Sequence, residues 1–283
     1  MSGSEQNEIS DQELQSFIET VKNMSAYDFT DYSDKSLKRR LAKVLLDTRM
    51  DLPLLLEKIK QSENFLEQII KDITVNTTEL FRDPPLWLSL RDNIIPPLKN
   101  KQDIKIWHAG CSTGQEVYSM MILLYEMGLF EKTRIYATDI NSDVLESART
   151  GIYKYRFNIG YLDNFDKVLK YDSGGNQQEV EYSKYLTIDK THDQIKMHPF
   201  LSEKPVYKKM DLVTDVNPFP VKFDLIMCRN VIIYFNYELQ NKVFKLFHDN
   251  LQPGGSIILG VHETILGPYS TFFEKKDHAY IKK

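Results

Sequence analysis

Glycine and carboxylate residues follow two predicted strands of this chain at a spacing that suits a small-molecule site. Residues 104–114 read I-K-I-W-H-A-G-C-S-T-G, an apolar strand that runs into a turn containing Gly110, and a helix then opens at Gln115 or Glu116. Free backbone N–H groups at a helix start, where glycine allows close approach, can bind part of a nucleotide-like cofactor. The second strand ends at Asp139, whose carboxylate can accept hydrogen bonds from a ribose diol. The Gly110 turn and the Asp139 carboxylate together predict a small-molecule site at the carboxyl edge of a parallel sheet.

Two later strands also end in polar residues, at Asp211 and at Arg229-Asn230. Structural turns would explain one or two such ends, whereas four favour a cofactor site. The turn lacks G-x-G-x-x-G, so a dinucleotide is not the leading ligand, and the chain lacks the G-K-[ST] of a phosphate-binding loop. S-adenosylmethionine has an amino-acid end, a ribose and an adenine but no phosphate, and it therefore suits a site built from acceptors.

The acidic residues at the strand ends can be matched to parts of that cofactor. Glu116 could accept hydrogen bonds from the ammonium group, and Asp139 from the ribose hydroxyls. Asp211 and Leu212 would flank the adenine, the first by hydrogen bonding and the second by packing. The alternative for Glu116 is an ordinary acidic residue that complements the dipole of its helix, worth about 0.3–1 kcal/mol.

The elements that must position these residues fall into two parts. Residues 11 to about 70 are predicted to be helical, with Leu37, Leu41 and Val44 on one face of a helix. From Ile104 onward strands and helices alternate, which predicts a parallel sheet with helices on both faces. The fold class is therefore α/β, a doubly wound, mostly parallel sheet that follows an all-α helical domain.

Caps and turns set the expected bounds of the later elements. Asn141 or Ser142 can cap a helix that ends at Gly151, and Asn236 can cap a helix over residues 237–250. After a turn at Ser173-Gly174-Gly175-Asn176, alternating apolar residues predict a small antiparallel insertion over 172–204; an irregular surface loop is the alternative. The remaining strands are expected at 134–139, 206–212, 223–228, 256–261 and 272–281.

Composition limits the class of protein. The chain has 283 residues, a net charge of −4 and two cysteines, which argue against a general affinity for nucleic acid, a disulfide framework and a cysteine zinc site. No apolar run approaches the length of a membrane span, and the N-terminus is too polar for a signal peptide. We expect a cytoplasmic monomer that holds no metal and does not insert into membranes.

A basic helix face stands out in this acidic chain. Lys35, Lys38, Arg39, Arg40 and Lys43 occur within nine residues, against the single carboxylate of Asp34. Such a face is usually just solvated, but it would also suit an acidic partner surface.

Two further segments carry polar or aromatic residues that could contact a ligand. Asn76, Thr78 and Arg82 occur in the lead-in T-V-N-T-T-E-L-F-R-D, where caps and turns are the alternative explanation. Tyr234 is the next-to-last residue of F-D-L-I-M-C-R-N-V-I-I-Y-F, which lacks the Asn/Asp-Pro-Pro-Tyr/Phe box of enzymes that methylate amines of nucleic acid. Tyr234 could equally be a core tyrosine with its hydroxyl at the sheet edge.

With these residues assembled, the chain resembles the chemotaxis receptor glutamate methyltransferases of the CheR type from about residue 12 to its end. Five stretches carry the resemblance in the same order as in the family. They are Asn76-x-Thr78-x-x-x-Arg82, W-H-A-G-C-S-T-G-Q-E-V-Y-S, A-T-D-I-N-S-D-V-L-E-S-A-R-T-G-I-Y, F-D-L-I-M-C-R-N-V-I-I-Y-F and P-G-G-S-I-I-L-G.

The resemblance implies an architecture and a set of site residues. It implies a helical domain over 10–75, a cofactor-contacting lead-in over 76–95, and a Rossmann-like class I methyltransferase domain over 96–283 that includes the β insertion. The implied cofactor contacts are Asn76, Thr78, Arg82, Gly110, Glu116, Asp139, Asp211, Leu212, Arg229 and Asn230. Tyr234 falls at the family tyrosine beside the methyl group. We expect Tyr234 and Arg229 to act in catalysis, and Lys38, Arg39, Arg40 and Lys43 to dock the substrate.

The implied reaction is methyl transfer from S-adenosylmethionine to glutamate side chains in the cytoplasmic helical region of chemoreceptors, giving γ-methyl esters and S-adenosylhomocysteine. A glutamate with a pKa of about 4.3 is already a nucleophile at neutral pH, so no general base is needed. Arg229 or Arg82 could hold the carboxylate or orient other groups. The alternatives are a methyltransferase for another protein or a small molecule, and a non-catalytic module that senses S-adenosylmethionine.

Overall fold

The computed structural model of the chain describes residues 9–25, 27–74, 78–171 and 174–283, with the backbone alone for 157–159 and 161. The chain divides into two compact units, one comprising Met1–Val75 with Ile232–Val243 and the other Asn76–Val231 with Phe244–Lys283. Within the described residues, no helix has the length and apolar composition needed to cross a bilayer.

The first unit is built from amphipathic helices with polar caps. Ser10 and Glu13 form a reciprocal capping box at the start of the first helix, and Asp51 caps the third through the Leu54 N–H. Its core is aliphatic and aromatic, including the fully buried Phe17. The helices are α1 (Asp11–Met24), α2 (Asp34–Thr48), α3 (Leu52–Gln61) and α4 (Glu63–Ile73).

The second unit alternates strands and helices, as predicted. Along the chain its elements, with the helix that both units share, are α5 (Pro84–Ser89), β1 (Ile104–Ala109), α6 (Gln115–Glu126), β2 (Thr133–Asp139), α7 (Ser142–Thr150), β3 (Ile152–Lys154), α8 (Tyr155–Leu169), β4 (Leu186–Asp189), β5 (Gln194–Met197), α9 (Pro199–Ser202), β6 (Val206–Lys209), β7 (Phe223–Cys228), α10 (Tyr237–Asn250), β8 (Leu251–Leu259), β9 (Phe273–Lys276) and β10 (Ala279–Lys282).

Seven of these strands form one sheet in the order β6-β2-β1-β7-β8-β10-β9. The pairs β2–β6, β1–β2, β1–β7 and β7–β8 are parallel, whereas β10 runs antiparallel to both of its neighbours. Parallel strands covered on both faces should be apolar throughout, and every residue of β7 is buried. The predicted doubly wound, mostly parallel sheet is confirmed.

Local signals placed several helix ends correctly. The Asn141 side chain accepts from the Asp143 N–H, 2.9 Å away, at the start of α7, and Gly151 ends that helix with a left-handed φ of 59°. The Asn236 side chain likewise accepts from the Leu239 N–H at 2.9 Å, at the start of α10. Short polar side chains satisfy backbone donors at helix starts, so these positions were readable from residue type alone.

Three strand predictions need correction. Strand β6 ends at Lys209, so Asp211 lies in the loop after it. The single strand expected over 272–281 is a hairpin of β9 and β10 that reverses at Asp277, whose φ is 53°. Strand β8 extends over Leu251–Leu259 rather than 256–261, with a register irregularity against β7.

A separate three-stranded antiparallel sheet, in the order β3-β5-β4, confirms the predicted small β element. Its first strand, Ile152–Lys154, lies before the predicted range of 172–204. Three residues are too few for alternation to be recognised in the sequence, so this strand was not predicted.

Candidate active site

The carboxyl ends of neighbouring parallel strands bring the predicted cofactor residues of the second unit to one edge of its sheet. The turn after β1 is held against β2, because the N–H groups of Gly110 and Cys111 donate to the Thr138 carbonyl at 2.8 and 2.9 Å. Gly110 has a φ of +78°, and a Cβ there would lie 2.5 Å from Val231 Cγ2. Glycine is therefore required both for the backbone conformation and for the close approach of Val231.

Asp139 joins the ends of β1 and β2. Its Oδ2 accepts from the Ser112 N–H at 2.8 Å and its Oδ1 from the Asn141 N–H at 3.0 Å. Burial raises the pKa of this carboxyl, against the lowering effect of these backbone donors. A carboxylate has about four acceptor positions, so these backbone donors leave it capacity to accept from a ligand hydroxyl.

Asp211 and Leu212 follow β6 in a loop that is hydrogen-bonded to the main chain of Asp139. The Met210 N–H donates to the Asp139 carbonyl at 3.0 Å, and Asp211 Oδ1 accepts from the Val213 N–H at 2.8 Å. Leu212 is buried. The loop can supply one polar and one apolar contact, as expected for a site that packs against an adenine.

Arg229 lies at the centre of a charged network, with its side chain only 2% exposed. Its Nη1 lies 3.1 Å from Glu116 Oε2, and its Nη2 lies 2.6 Å from Asp83 Oδ2 and donates to the Arg82 carbonyl at 3.0 Å. Thr78, from the same lead-in, is partly buried. Because the guanidinium is enclosed, its arrangement favours orienting other groups over holding an incoming carboxylate.

Two buried polar atoms, on Asn230 and Ser112, bear on whether the predicted cofactor fits this site. Asn230 Oδ1 and Ser112 Oγ are buried and have no hydrogen-bond partner within the part of the chain that the structure describes. Buried polar atoms without partners are costly, so both indicate that a ligand supplies the missing groups. The charge of Arg229 is matched by two carboxylates, which suits a ligand without phosphate better than a nucleotide.

Two further residues, which no sequence pattern had singled out, lie in this arrangement. Glu263, after β8, accepts at Oε2 from the N–H groups of Gly260 at 2.7 Å and Asn230 at 2.8 Å, and thereby fixes Asn230 in a left-handed conformation. His108 Nδ1 lies 2.9 Å from Glu116 Oε1. The sequence signal for Glu263 was an acidic residue shortly after the end of a strand. The sequence signal for His108 was a polar residue inside an apolar strand.

Tyr234 belongs to the first unit and is held there by two contacts. Its carbonyl accepts from the Ser33 N–H at 2.8 Å, and the Arg40 guanidinium carbon lies 4.0 Å from the centre of its ring. Arg40 also donates through Nη1 to the Ile73 carbonyl. Tyr234 is thus linked directly to Ser33, the residue before α2, and through Arg40 to Ile73, the last residue of α4.

The prediction that Arg40 lies on an exposed docking face is wrong, because Arg40 is buried. It shares the inward face of α2 with Leu37, Leu41 and Val44. Lys38 and Lys43 pair with Asp11 and Asp47, while Lys35 and Arg39 are exposed. Asn76 lies outside the described residues.

Comparisons with known proteins agree with this arrangement. Residues 12–74 match the CheR methyltransferase all-alpha domain, and residues 76–163 and 170–280 match the CheR methyltransferase SAM-binding domain, SAM being S-adenosylmethionine. The chain is 36% identical over 266 residues to Cher3 of Pseudomonas putida, with 93% of each chain covered.

Two further relatives are named chemotaxis protein methyltransferases. The protein of Borreliella burgdorferi is 32% identical over 250 residues, covering 80% of this chain and 81% of the relative. Chemotaxis protein methyltransferase 1 of Vibrio cholerae is 29% identical over 269 residues, covering 92% and 91%. Because both domains match along nearly the whole length, the cofactor is S-adenosylmethionine and the chain belongs to the CheR methyltransferase family.

Proposed function

We propose that this chain methylates glutamate side chains in the cytoplasmic helical region of chemoreceptors, forming glutamyl γ-methyl esters, and that it works in the cytoplasm as a monomer. The observation that carries the proposal is the convergence of Asp139, Glu116 and the Arg229-Asn230 pair at one sheet edge, with Asn230 Oδ1 buried and unpartnered among the described residues. When bound, S-adenosylmethionine supplies an electrophilic methyl group and is converted to S-adenosylhomocysteine.

The residues of the chain would bind and orient rather than move protons. A substrate glutamate is ionised at neutral pH, so the site has to align its carboxylate and exclude water. Asp139 and Asn230 would bind the cofactor, and Arg229 would fix Glu116 and the lead-in. Tyr234 would set the approach to the methyl group, and Arg82 is the candidate for holding the incoming carboxylate.

The test is transfer of a labelled methyl group to receptor-rich membranes. We expect label on receptor bands that is released as methanol by mild base, as an ester requires, and that is suppressed by excess S-adenosylhomocysteine. Membranes from cells without receptors are the matched control. Base-stable label would contradict an ester product, and cofactor binding without any transfer would favour a sensing module.

Docking to the receptor would rest on the exposed cations of α2. Lys35 and Arg39 lie four residues apart and are both exposed. Surface charges mainly change encounter rate and salt dependence. We expect Lys35→Glu with Arg39→Glu to slow receptor methylation at low salt, whereas Lys58→Glu with Lys60→Glu on α3, a charge-matched control, should not. Equal effects of the two pairs would contradict docking by α2.

A further inference from the structure

Four side chains from separate segments of the second unit form a row of polar and charged contacts, in which Asp83 is partly exposed and the other three are largely buried. His108 lies near the end of β1, Glu116 in the first turn of α6, Arg229 directly after β7 and Asp83 directly before α5. The contacts along the row are 2.9 Å from His108 to Glu116, 3.1 Å from Glu116 to Arg229 and 2.6 Å from Arg229 to Asp83. The row connects four segments that border the proposed cofactor site.

Glu116 is held from both sides in this row. Its Oε1 faces His108 and its Oε2 faces Arg229, and its side chain is only 14% exposed. Burial alone would raise the pKa of Glu116, but the hydrogen bond with His108 and the charge of Arg229 lower it below its ordinary value. The carboxylate therefore stays ionised, with a fixed direction, and each oxygen keeps a lone pair for a further donor.

His108 is a polar residue on an otherwise apolar, fully buried face of β1. It is fully buried on the face of β1 that also carries the fully buried Ile104 and Ile106. Its Nδ1 contacts Glu116, and its Nε2 has no hydrogen-bond partner within the described parts of the chain. An imidazole buried with one nitrogen unpaired is unfavourable compared with leucine or isoleucine. The contact with Glu116 is its compensating interaction.

We propose that His108 is a positioning residue of the cofactor site, which donates its Nδ1 proton to Glu116 Oε1 and so fixes the carboxylate that receives the ammonium group of S-adenosylmethionine. This inference rests on the cofactor role proposed for Glu116. Arg229 neutralises the carboxylate and His108 sets its direction. A histidine with its proton on Nδ1 leaves Nε2 as an unprotonated nitrogen, which explains why no acceptor is needed beside it.

The test uses two substitutions of nearly equal size and shape. In His108→Asn the amide nitrogen takes the place of Nδ1 and can still donate, whereas His108→Leu removes the donor. We expect His108→Leu to weaken the binding of S-adenosylhomocysteine about tenfold or more by calorimetry, because a hydrogen bond to a charged group is stronger than one between neutral groups. His108→Asn should stay within about threefold of wild type. In turnover, the leucine variant should raise the KM for S-adenosylmethionine and leave kcat nearly unchanged.

The outcomes separate this proposal from the function on which it rests. Wild type that failed to bind S-adenosylhomocysteine would contradict the cofactor site itself. If wild type binds and the leucine variant binds equally well, or the asparagine variant is as weak as leucine, positioning by His108 is overturned. Should His108→Leu not fold, nitrogen-15 spectra of wild-type histidines decide the matter: a proton on Nδ1 of His108 is expected, and a proton on Nε2 alone would overturn the proposal.

Discussion

The guanidinium of Arg40 lies over the ring of Tyr234, with 4.0 Å from the guanidinium carbon to the ring centre. Burial lowers the pKa of Arg40, while the neighbouring Tyr234 opposes that shift. Arginine nevertheless stays protonated at neutral pH, so the Arg40 side chain remains a cation. Arg40, which was predicted to lie on an exposed docking surface, thus packs against Tyr234, the tyrosine that is expected to act on the methyl group.

We predict that Arg40→Met lowers the single-turnover rate of methyl transfer about tenfold or more without changing cofactor affinity. A desolvated cation–π contact is worth about 2 kcal/mol, and about 1.4 kcal/mol corresponds to a factor of ten in rate. Arg39→Met is the matched control, because Arg39 is the preceding residue and is exposed. A folded Arg40→Met variant with a wild-type rate would show that the stacking does not orient Tyr234.

Gly110 offers a test of the turn that borders the proposed cofactor site. Gly110 and Gly254 have similar positive φ angles, +78° and +71°, but a Cβ at Gly254 meets no described atom within 4 Å. Alanine at either position should cost about 1–2 kcal/mol for the left-handed conformation. Gly110→Ala should cost about 1–3 kcal/mol more, because its Cβ overlaps Val231, and should also weaken cofactor binding.

Urea unfolding of the two alanine variants measures that difference. Combining Gly110→Ala with Val231→Ala should recover most of the additional loss, because the smaller side chain leaves room for the new methyl group. Equal unfolding free energies for Gly110→Ala and Gly254→Ala would mean that the turn relaxes away from Val231.

The lowered pKa of Asp28 should make the first unit less stable in acid. Burial would raise its pKa, but the partners Lys22, 2.8 Å away, and Thr30 lower it from 3.8 to about 2. Because the folded-state pKa is the lower one, the stabilisation is fully present above about pH 4 and is lost as the pH falls toward 2. Asp28→Asn keeps an acceptor for Thr30 and removes the charge.

We expect Asp28→Asn to cost about 1 kcal/mol at pH 7, a value reduced for solvent screening at this partly exposed pair. The cost should shrink at pH 3, because the carboxyl of the unfolded wild-type chain, with a pKa near 3.8, is then mostly protonated while the folded one is still mostly ionised. Urea unfolding of both proteins at the two pH values measures it. A cost that does not depend on pH would assign the effect to packing rather than to charge.

The sequence allowed the parallel part of the sheet and the ends of β1, β2 and β7 to be predicted, to within one residue, because their signals are local. Gly110, Asp139 and Asn141 each act within a few residues of a strand or helix end, where residue type and backbone conformation are directly linked. The hairpin of β9 and β10 was missed because its turn uses Asp277 in a left-handed conformation, with neither glycine nor proline to mark it.

The partners of the charged residues could not be predicted in the same way. Arg40 lies three residues after Leu37 and four before Val44, so helical spacing places it on the buried face, but its charge favoured an exposed assignment. His108 lies in a strand that is buried on both faces, where alternation carries no information. The pairing of Glu116 with Arg229 joins positions 113 residues apart, which only the fold brings together.

Arg229 provides the strongest test of the charged row. Removing one partner of a buried ion pair typically costs about 3–5 kcal/mol, because it leaves an uncompensated charge, and Arg229→Met would leave both Glu116 and Asp83 without their cation. We therefore expect a loss of that size in urea unfolding. Arg134→Met is the control, since Arg134 is 68% exposed and pairs with Asp103 at 3.1 Å, a surface contact worth about 0–1 kcal/mol.

A second substitution distinguishes two causes of the lost stability in Arg229→Met, unpaired carboxylates and lost packing. If the loss in Arg229→Met comes from unpaired carboxylates, adding Glu116→Gln should restore part of the unfolding free energy, because it removes one buried charge while keeping the size of the side chain. If packing alone is responsible, the two losses should add. Additive values in this double-mutant cycle would contradict the electrostatic role of Arg229, whereas partial recovery would support the view that Arg229 keeps Glu116 ionised beside the cofactor.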